Sequence, residues 1–263
     1  MGVLNVTPDS FSDGGRFLDK DKALARALEM IDEGADIIDI GGESTRPGAK
    51  EVPVEEEIRR VVPVIEKLAG RANLEISIDT RKSKVAEAAL RAGASIVNDI
   101  SGLRDKDMES VAAKYKAGVI LMHMNGTPEN MQNSCNYSDL IGEIKGFLRF
   151  SADEAIRAGV EKDSIAIDPG IGFGKTVEQN LEILNRLEEF RDLGFPLCVG
   201  TSRKTFIGKL LDLPSTGDRL SGTIATCVAA VINGARILRV HDVKAVKDAV
   251  IITERILGAG NRA

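Results

Sequence analysis

The feature that most constrains this chain is a repeat in which a helical stretch closes on a glycine and a short apolar run follows at once. Gly34-Ala-Asp-Ile-Ile-Asp, Gly93-Ala-Ser-Ile-Val-Asn, Gly118-Val-Ile-Leu-Met-His, Gly159-Val, Gly194-Phe-Pro-Leu-Cys-Val and Gly234-Ala-Arg-Ile-Leu-Arg share it, and Gly70 plays the same part before Leu74-Glu-Ile-Ser-Ile. A glycine just past a helix takes up the left-handed conformation that turns the chain back. Helical periodicity fills the stretches between, with Leu24, Leu28 and Ile31 on one face and Leu181, Leu184 and Leu187 on another. Seven junctions separate eight apolar runs. Eight strands alternating with helices in 263 residues predict an α/β chain folded as a (β/α)8 TIM barrel, one domain over 1–263. A doubly wound open sheet is the structural alternative.

Composition narrows the function classes. Trp is absent and aromatics make up 4% of the chain, which suits parallel-sheet packing better than a sandwich. A net charge of −5 argues against a general nucleic-acid binder, so an anionic ligand would need a locally basic pocket. Cys135, Cys198 and Cys227 show no CxxC spacing and read as reduced thiols of a cytoplasmic protein, neither nucleophiles nor metal ligands. No signal peptide and no run long enough to span a bilayer is visible, so no membrane partner is expected. The chain opens directly on Gly2-Val3-Leu4, which leaves the bottom of the barrel expected to be less covered.

In such a barrel the C-terminal strand ends converge on the face that carries the chemistry. The apolar runs end on Asn5, on Asp39-Ile-Gly-Gly-Glu43, on Asp79, on Asn98-Asp99, on His123, on Asp168, on Gly200-Thr-Ser-Arg-Lys204, and on Arg239 and His241. Each alone has a plain explanation as a helix cap, a surface charge or a hydrogen-bonded histidine. A polar group on nearly every strand end does not, and it points to one functional pocket. The sixth run, Ser164-Ile-Ala-Ile, feeds straight into Asp168-Pro-Gly-Ile-Gly-Phe-Gly-Lys175. Pro169 excludes a nucleotide P-loop, and the GxGxG spacing excludes the dinucleotide fingerprint. The stretch reads as a carboxylate presented in a pocket with backbone crowding close to a ligand.

Two loops rich in Gly, Pro and Ser, running from Val6 to Arg16 and from Gly41 to Gly48, leave the same face and read as lids or binding loops. The helix from Lys204 to Leu211 is broken by Asp212-Leu-Pro-Ser-Thr-Gly and resumes near Arg219. The last helix, from Asp242 to Leu257, places Val243, Val246, Val250 and Ile251 for barrel packing, with a subunit contact as a second use.

Five strings in order along the chain closely resemble dihydropteroate synthases: Asn5-Val-Thr-Pro-Asp-Ser-Phe-Ser-Asp-Gly-Gly15, Gly41-Gly-Glu-Ser-Thr-Arg-Pro-Gly48, Asp168 to Lys175, Ser202-Arg-Lys204 and Arg239-Val-His241. The resemblance implies condensation of 6-hydroxymethyl-7,8-dihydropterin diphosphate with 4-aminobenzoate, releasing diphosphate and giving dihydropteroate for folate biosynthesis. It implies a pterin pocket of Asp79, Asn98 and Asp168, with Lys204 near the ring and Met122 as an apolar wall. It implies Mg2+ as cofactor, held in part by Asn5, and a diphosphate site of Asn5, Arg46, Arg239 and His241. Asp13 and Arg46 would order the diphosphate and the second site beside Asp79 and Lys204, the catalytic set. Phe11, Thr45, Pro47, Lys204 and Thr205 would frame 4-aminobenzoate. Thr205 stands where many relatives carry serine, which adds a methyl at the aminobenzoate end. A homodimer is the family expectation.

The residue chemistry fits independently. A pterin edge needs donors and acceptors in one plane, and acids and amides on strand ends supply them. A diphosphate needs positive charge and donors, which Arg239 and His241 offer. Two rivals share the pocket: a pterin-binding methyltransferase domain, which has no need of the two loops or the anion site, and a non-catalytic pterin-binding paralogue.

Overall fold

The computed structural model describes residues 1–7, 16–45, 48–71, 74–131 and 135–259, with 16–20 described by their backbone alone. Strand and helix alternate as the glycine repeat predicts. The order is β1 (Gly2–Asn5), α1 (Arg16–Asp32), β2 (Ile37–Gly41), α2 (Val54–Leu68), β3 (Glu75–Asp79), α3 (Ser83–Ala92), β4 (Ile96–Asp99), α4 (Met108–Tyr115), β5 (Gly118–Met122) and α5 (Leu140–Arg157). It continues through β6 (Ile165–Asp168), α6 (Val177–Asn185), β7 (Leu197–Val199), α7 (Thr205–Leu211), α8 (Leu220–Ile232), β8 (Ala235–Leu238) and α9 (Val243–Ala259).

The strands pair in sequence order, every pair parallel. A parallel bridge from Gly2 to Val240 joins the first strand to the residue past the last. Val3 N–H donates to Val240 O at 2.9 Å, and Val240 N–H to Met1 O at 2.9 Å. That closure removes both sheet edges and decides for the barrel over the open sheet.

Period-two alternation sorts each strand between two cores. Ile38, Ile40, Ile76, Ile78 and Val97 face outward and are buried under the helices. The opposite parity faces inward. Ile37, Ile96, Ile120, Ala166, Cys198 and Ile237 pack with Met1 to fill the lower barrel. Two residues further along several strands the inward positions turn polar: Asp39, Asn98, Asp168 and Arg239. The barrel is thus an apolar plug beneath a polar rim.

Several local readings differ from expectation. Leu24, Leu28 and Ile31 only flank the core, while Ala23, Ala27 and Met30, one residue earlier, are fully buried. Small alanines let α1 lie close to the strands. Helix α6 ends at Asn185 and turns Asn180, Ile183 and Leu184 inward, which leaves Leu181 exposed; Leu187 is buried from the 3-10 helix over Leu187–Leu193. At the α4 junction the left-handed residue is Lys116, at φ +51°, and Gly118 already belongs to β5.

Candidate active site

Strand register assembles the rim. Asn5 lies opposite Gly41, Gly41 opposite Asp79, and Asp79 opposite Asn98, so one row crosses the ends of β1 to β4. Met122 lies opposite Asp168 on β5 and β6. Gly41 leaves room where a side chain would stand: a Cβ there would come within 3.4 Å of Asp79 Oδ2.

The charges on this rim are interlocked. Arg239 donates from Nε to Asp39 Oδ2 at 2.6 Å and from Nη2 to Asp79 Oδ2 at 2.5 Å. Asn98 Nδ2 donates to the same Asp39 oxygen at 3.1 Å. Asp39 therefore fixes both Arg239 and Asn98, although the sequence reading noted it only as a strand end and gave it no role. The signal available was its place on the inward parity of β2. Among the described residues, Asp39 Oδ1 and Asp79 Oδ1 are buried acceptors without a partner. A buried acceptor left without a donor is costly, and so it marks a place where a ligand's N–H groups are favoured.

Burial pushes the Asp79 carboxyl up to about 7; Arg239 opposes this, and Asp39 adds to it. Burial likewise raises Asp168, against the pull of its hydrogen bond from Gly170 N–H at 2.7 Å. Burial and the Arg239 charge bring Lys204 down to about 8, against the attraction of Asp168 and Asp79. Burial works against the charge on Arg239, but Asp39 and Asp79 outweigh it and hold the guanidinium firmly protonated. Lys204 Nζ sits 4.0 Å from the centroid of the Phe173 ring, a cation–π contact that keeps the ammonium over the mouth of β6. Met122 and Phe173 belong to one apolar cluster beside the rim.

Other strand-end residues play different parts. His241 lies behind the rim: Nδ1 is 3.0 Å from Ser202 Oγ, and burial, Arg239 and Arg203 depress the ring to about 3. With no anion bound the ring is neutral at pH 7 and offers hydrogen bonding. Asp99 faces outward and accepts from Ser101 and Leu103 N–H groups as a turn cap. His123 packs edge-on to Phe147 at 5.1 Å and is bonded through Nδ1 to Lys175 Nζ at 3.1 Å, the structural role of a lone histidine. Arg203 pairs with Asp242.

The glycine-rich stretch is packed tightly against the rest of the rim. Gly170, Gly172 and Gly174 all have positive φ, but what crowds them is protein. A Cβ on Gly170 would stand 1.9 Å from His123 O, and one on Gly172 would stand 3.1 Å from Lys204 Cδ. The loop threads under the β5 end and beside Lys204, so protein atoms alone already demand glycine at these positions. Lys175, unassigned by the sequence reading, is buried there and donates to Phe173 O at 3.0 Å; burial brings it down to about 7.

Thr45 is half-buried in the loop after β2, and Thr205 is exposed at the first position of α7. Phe11, Asp13, Arg46 and Pro47 lie outside the described residues. Asn5, half-buried at the end of β1, is the rim's candidate for a metal. Among the described residues no group of three His, Cys, Asp or Glu side chains could hold an ion. One hard amide oxygen suits Mg2+, which takes few protein ligands and keeps waters or substrate phosphates for the rest.

Barrel, polar rim and motif order together define a pterin-binding enzyme, and residues 1–241 match the family described as "Pterin binding enzyme". A dihydropteroate synthase of a Synechocystis strain is 52% identical over 246 residues, 93% of this chain and 85% of that protein. A Clostridium difficile dihydropteroate synthase, crystallised in the presence of pteroic acid, superposes with a TM-score of 0.92 at 51% identity, covering 97% of this chain and 95% of that one. A Xanthomonas albilineans dihydropteroate synthase in complex with 7,8-dihydropteroate superposes with a TM-score of 0.89 at 41% identity, covering 98% and 92%. The chain belongs to the dihydropteroate synthase family, transferases of a pterin-methylene group.

Proposed function

We propose that the chain condenses 6-hydroxymethyl-7,8-dihydropterin diphosphate with 4-aminobenzoate to give 7,8-dihydropteroate and diphosphate in folate biosynthesis. The observation that carries this reading is a rim of buried acids with unfilled acceptors, Asp79 above all, interlocked with Arg239. Ring N–H and exocyclic amine groups of a pterin are donors, and Asp79, Asn98 and Asp168 stand ready to accept or pair with them. Met122 and Phe173 would then bound the ring.

The reaction is a displacement at the pterin methylene. The C–O bond to diphosphate breaks with its electron pair leaving on the phosphate oxygen, and the aminobenzoate nitrogen forms the new C–N bond and loses a proton. No side chain need become covalent, since the amine is already nucleophilic. We read the displacement as dissociative: the methylene turns cation-like as the C–O bond lengthens, and the carboxylate of Asp79 stabilises it. Arg239 meets the departing polyanion, with His241 supplying a neutral hydrogen bond. Asn5 would help hold Mg2+, which would supply positive charge to the leaving diphosphate. Lys204, between the acids and the Phe173 ring, adjoins both substrates. Asp13 and Arg46 would order the diphosphate. Phe11, Thr45, Pro47 and Thr205 would frame 4-aminobenzoate, bound after pterin diphosphate. Closure of the loops would exclude the water that competes for the cation.

We also propose a homodimer through the α8 and α9 side. Helix α8 is apolar nearly all round, the pattern of a helix covered on every face. Yet Ile232 on α8, and Ile252, Ile256 and Leu257 on α9, are exposed in the single chain. A second copy is the partner the family expectation names.

Mixing both substrates with Mg2+ and following diphosphate and dihydropteroate tests the reading. Methyl transfer from a tetrahydropterin without diphosphate release would mean a methyltransferase; pterin binding without product would mean a non-catalytic relative. Tight 4-aminobenzoate binding in the absence of diphosphate or pterin diphosphate would refute the order of binding.

A further inference from the structure

We propose that Lys82 is a positioning residue that clamps both feet of the loop between β2 and α2, and that this clamp sets the 4-aminobenzoate end of the site. The inference rests on the preceding assignment of Thr45 to that end. Lys82 lies three residues past Asp79 and is 8% exposed. Its Nζ donates to Glu43 Oε2 at 2.5 Å, to Val52 O at 2.5 Å and to Glu57 Oε2 at 2.8 Å. Glu43 is where the loop leaves β2, and Val52 is where it rejoins α2. The two feet also bond to each other, Val52 N–H donating to Glu43 Oε2 at 2.7 Å.

The flanking residues reinforce the same grip. Arg81 Nε reaches Glu43 Oε1 at 3.1 Å, and its Nη2 lies 3.3 Å from Glu51. Thr80 Oγ1 donates to Glu57 Oε1 at 2.8 Å. Thr80, Arg81 and Lys82 thus continue the strand that delivers Asp79 and tie it to both feet of the loop and to the first turn of α2. Beyond the feet, Gly48 N–H donates to Pro128 O at 3.1 Å, so the same loop reaches toward the β5 side.

Three buried or part-buried charges are a poor source of net stability, because desolvation offsets most of their attraction. What such a cluster fixes well is geometry. Nζ satisfies three acceptors at once, and each binds a different segment: the loop's first foot, its second foot and the first turn of α2. Thr45, two residues from Glu43, inherits its position from that junction. Pterin contacts on β4 and β6 lie on other strands, and Asp79 is held within the sheet by its pairing with Gly41 and Asn98.

The test is steady-state kinetics and substrate binding for Glu43→Gln, Lys82→Met and Lys82→Arg, with Tm and amide hydrogen exchange over 43–52. The expected result for Glu43→Gln and Lys82→Met is a rise in the 4-aminobenzoate KM of about tenfold or more, with the pterin diphosphate Kd held within about twofold. Lys82→Arg, which keeps the charge, should recover most of that loss. If Lys82→Met does not fold, the near-isosteric Glu43→Gln decides alone. A lowered Tm with both substrate constants unchanged would overturn the proposal, as would equal weakening of both substrates. Failure of the wild type to form dihydropteroate would refute the functional reading instead. The clamp would then stand on faster exchange over 43–52 in Glu43→Gln and fall if exchange is unchanged.

Discussion

Asp79 keeps one oxygen on Arg239 and one without a donor, and burial holds its carboxyl up near 7. A pterin brings N–H donors that favour the carboxylate, so the bound value should lie below the free one. Between those two values binding releases a proton, and affinity weakens as pH falls below about 7, by up to about tenfold per pH unit. Calorimetric titration at pH 6.5 in two buffers of different ionisation enthalpy should report that release; none would mean Asp79 does not meet the ring. A second prediction belongs to Gly170, at φ +72° with His123 O in the path of any Cβ. Gly170→Ala should cost at least about 2–3 kcal/mol and lower Tm by about 5 °C or more, measured by thermal unfolding. The glycines at 170, 172 and 174 were legible as backbone demands, but the groups that crowd the first two, the carbonyl of His123 just past β5 and the stem of Lys204, come from distant parts of the chain. His241 shows the same limit: position was readable from the strand end, whereas its neutrality depends on burial beside Arg239 and Arg203.

At the scale of elements, the break between α7 and α8 was visible in Asp212-Leu-Pro-Ser-Thr-Gly, and its purpose was not. Arg219 reaches back from the resumed helix and donates to Leu213 O at 3.2 Å, Pro214 O at 2.9 Å and Arg203 O at 3.0 Å. The guanidinium satisfies carbonyls that the break leaves open, and it ties them to the residue before Lys204. Arg219→Met should destabilise by about 2–4 kcal/mol through those unpaired acceptors, read as a lower urea midpoint, and Arg219→Lys should recover little because an ammonium lacks the planar fork. Strand ends were the most legible elements, since period-two alternation and a polar terminus are both local. The inward parity of Asp39 was equally local. Its partnership with Arg239, 200 positions away, required the closed barrel.

At the scale of the molecule, the glycine repeat carried the barrel because each junction specifies a turn back, and seven of them joining eight strands leave little but closure. The exposed apolar face proposed for a second subunit was only hinted at by the apolar last helix. Replacing Ile252 and Ile256 with Asp should shift the chain to monomer in light scattering at micromolar concentration if that face is the dimer contact; an unchanged mass would place the contact elsewhere. The central claim is that one rim meets two opposite electrical demands, an electron-poor methylene at Asp79 and a departing polyanion at Arg239. The direct measurement is dihydropteroate formation from both substrates and Mg2+ by the wild type, Asp79→Asn and Arg239→Ala. The account predicts turnover by the wild type, a loss in kcat of about 100-fold or more for Asp79→Asn, and a raised pterin diphosphate KM for Arg239→Ala. Wild-type rates from Asp79→Asn, or no product from the wild type, would contradict it.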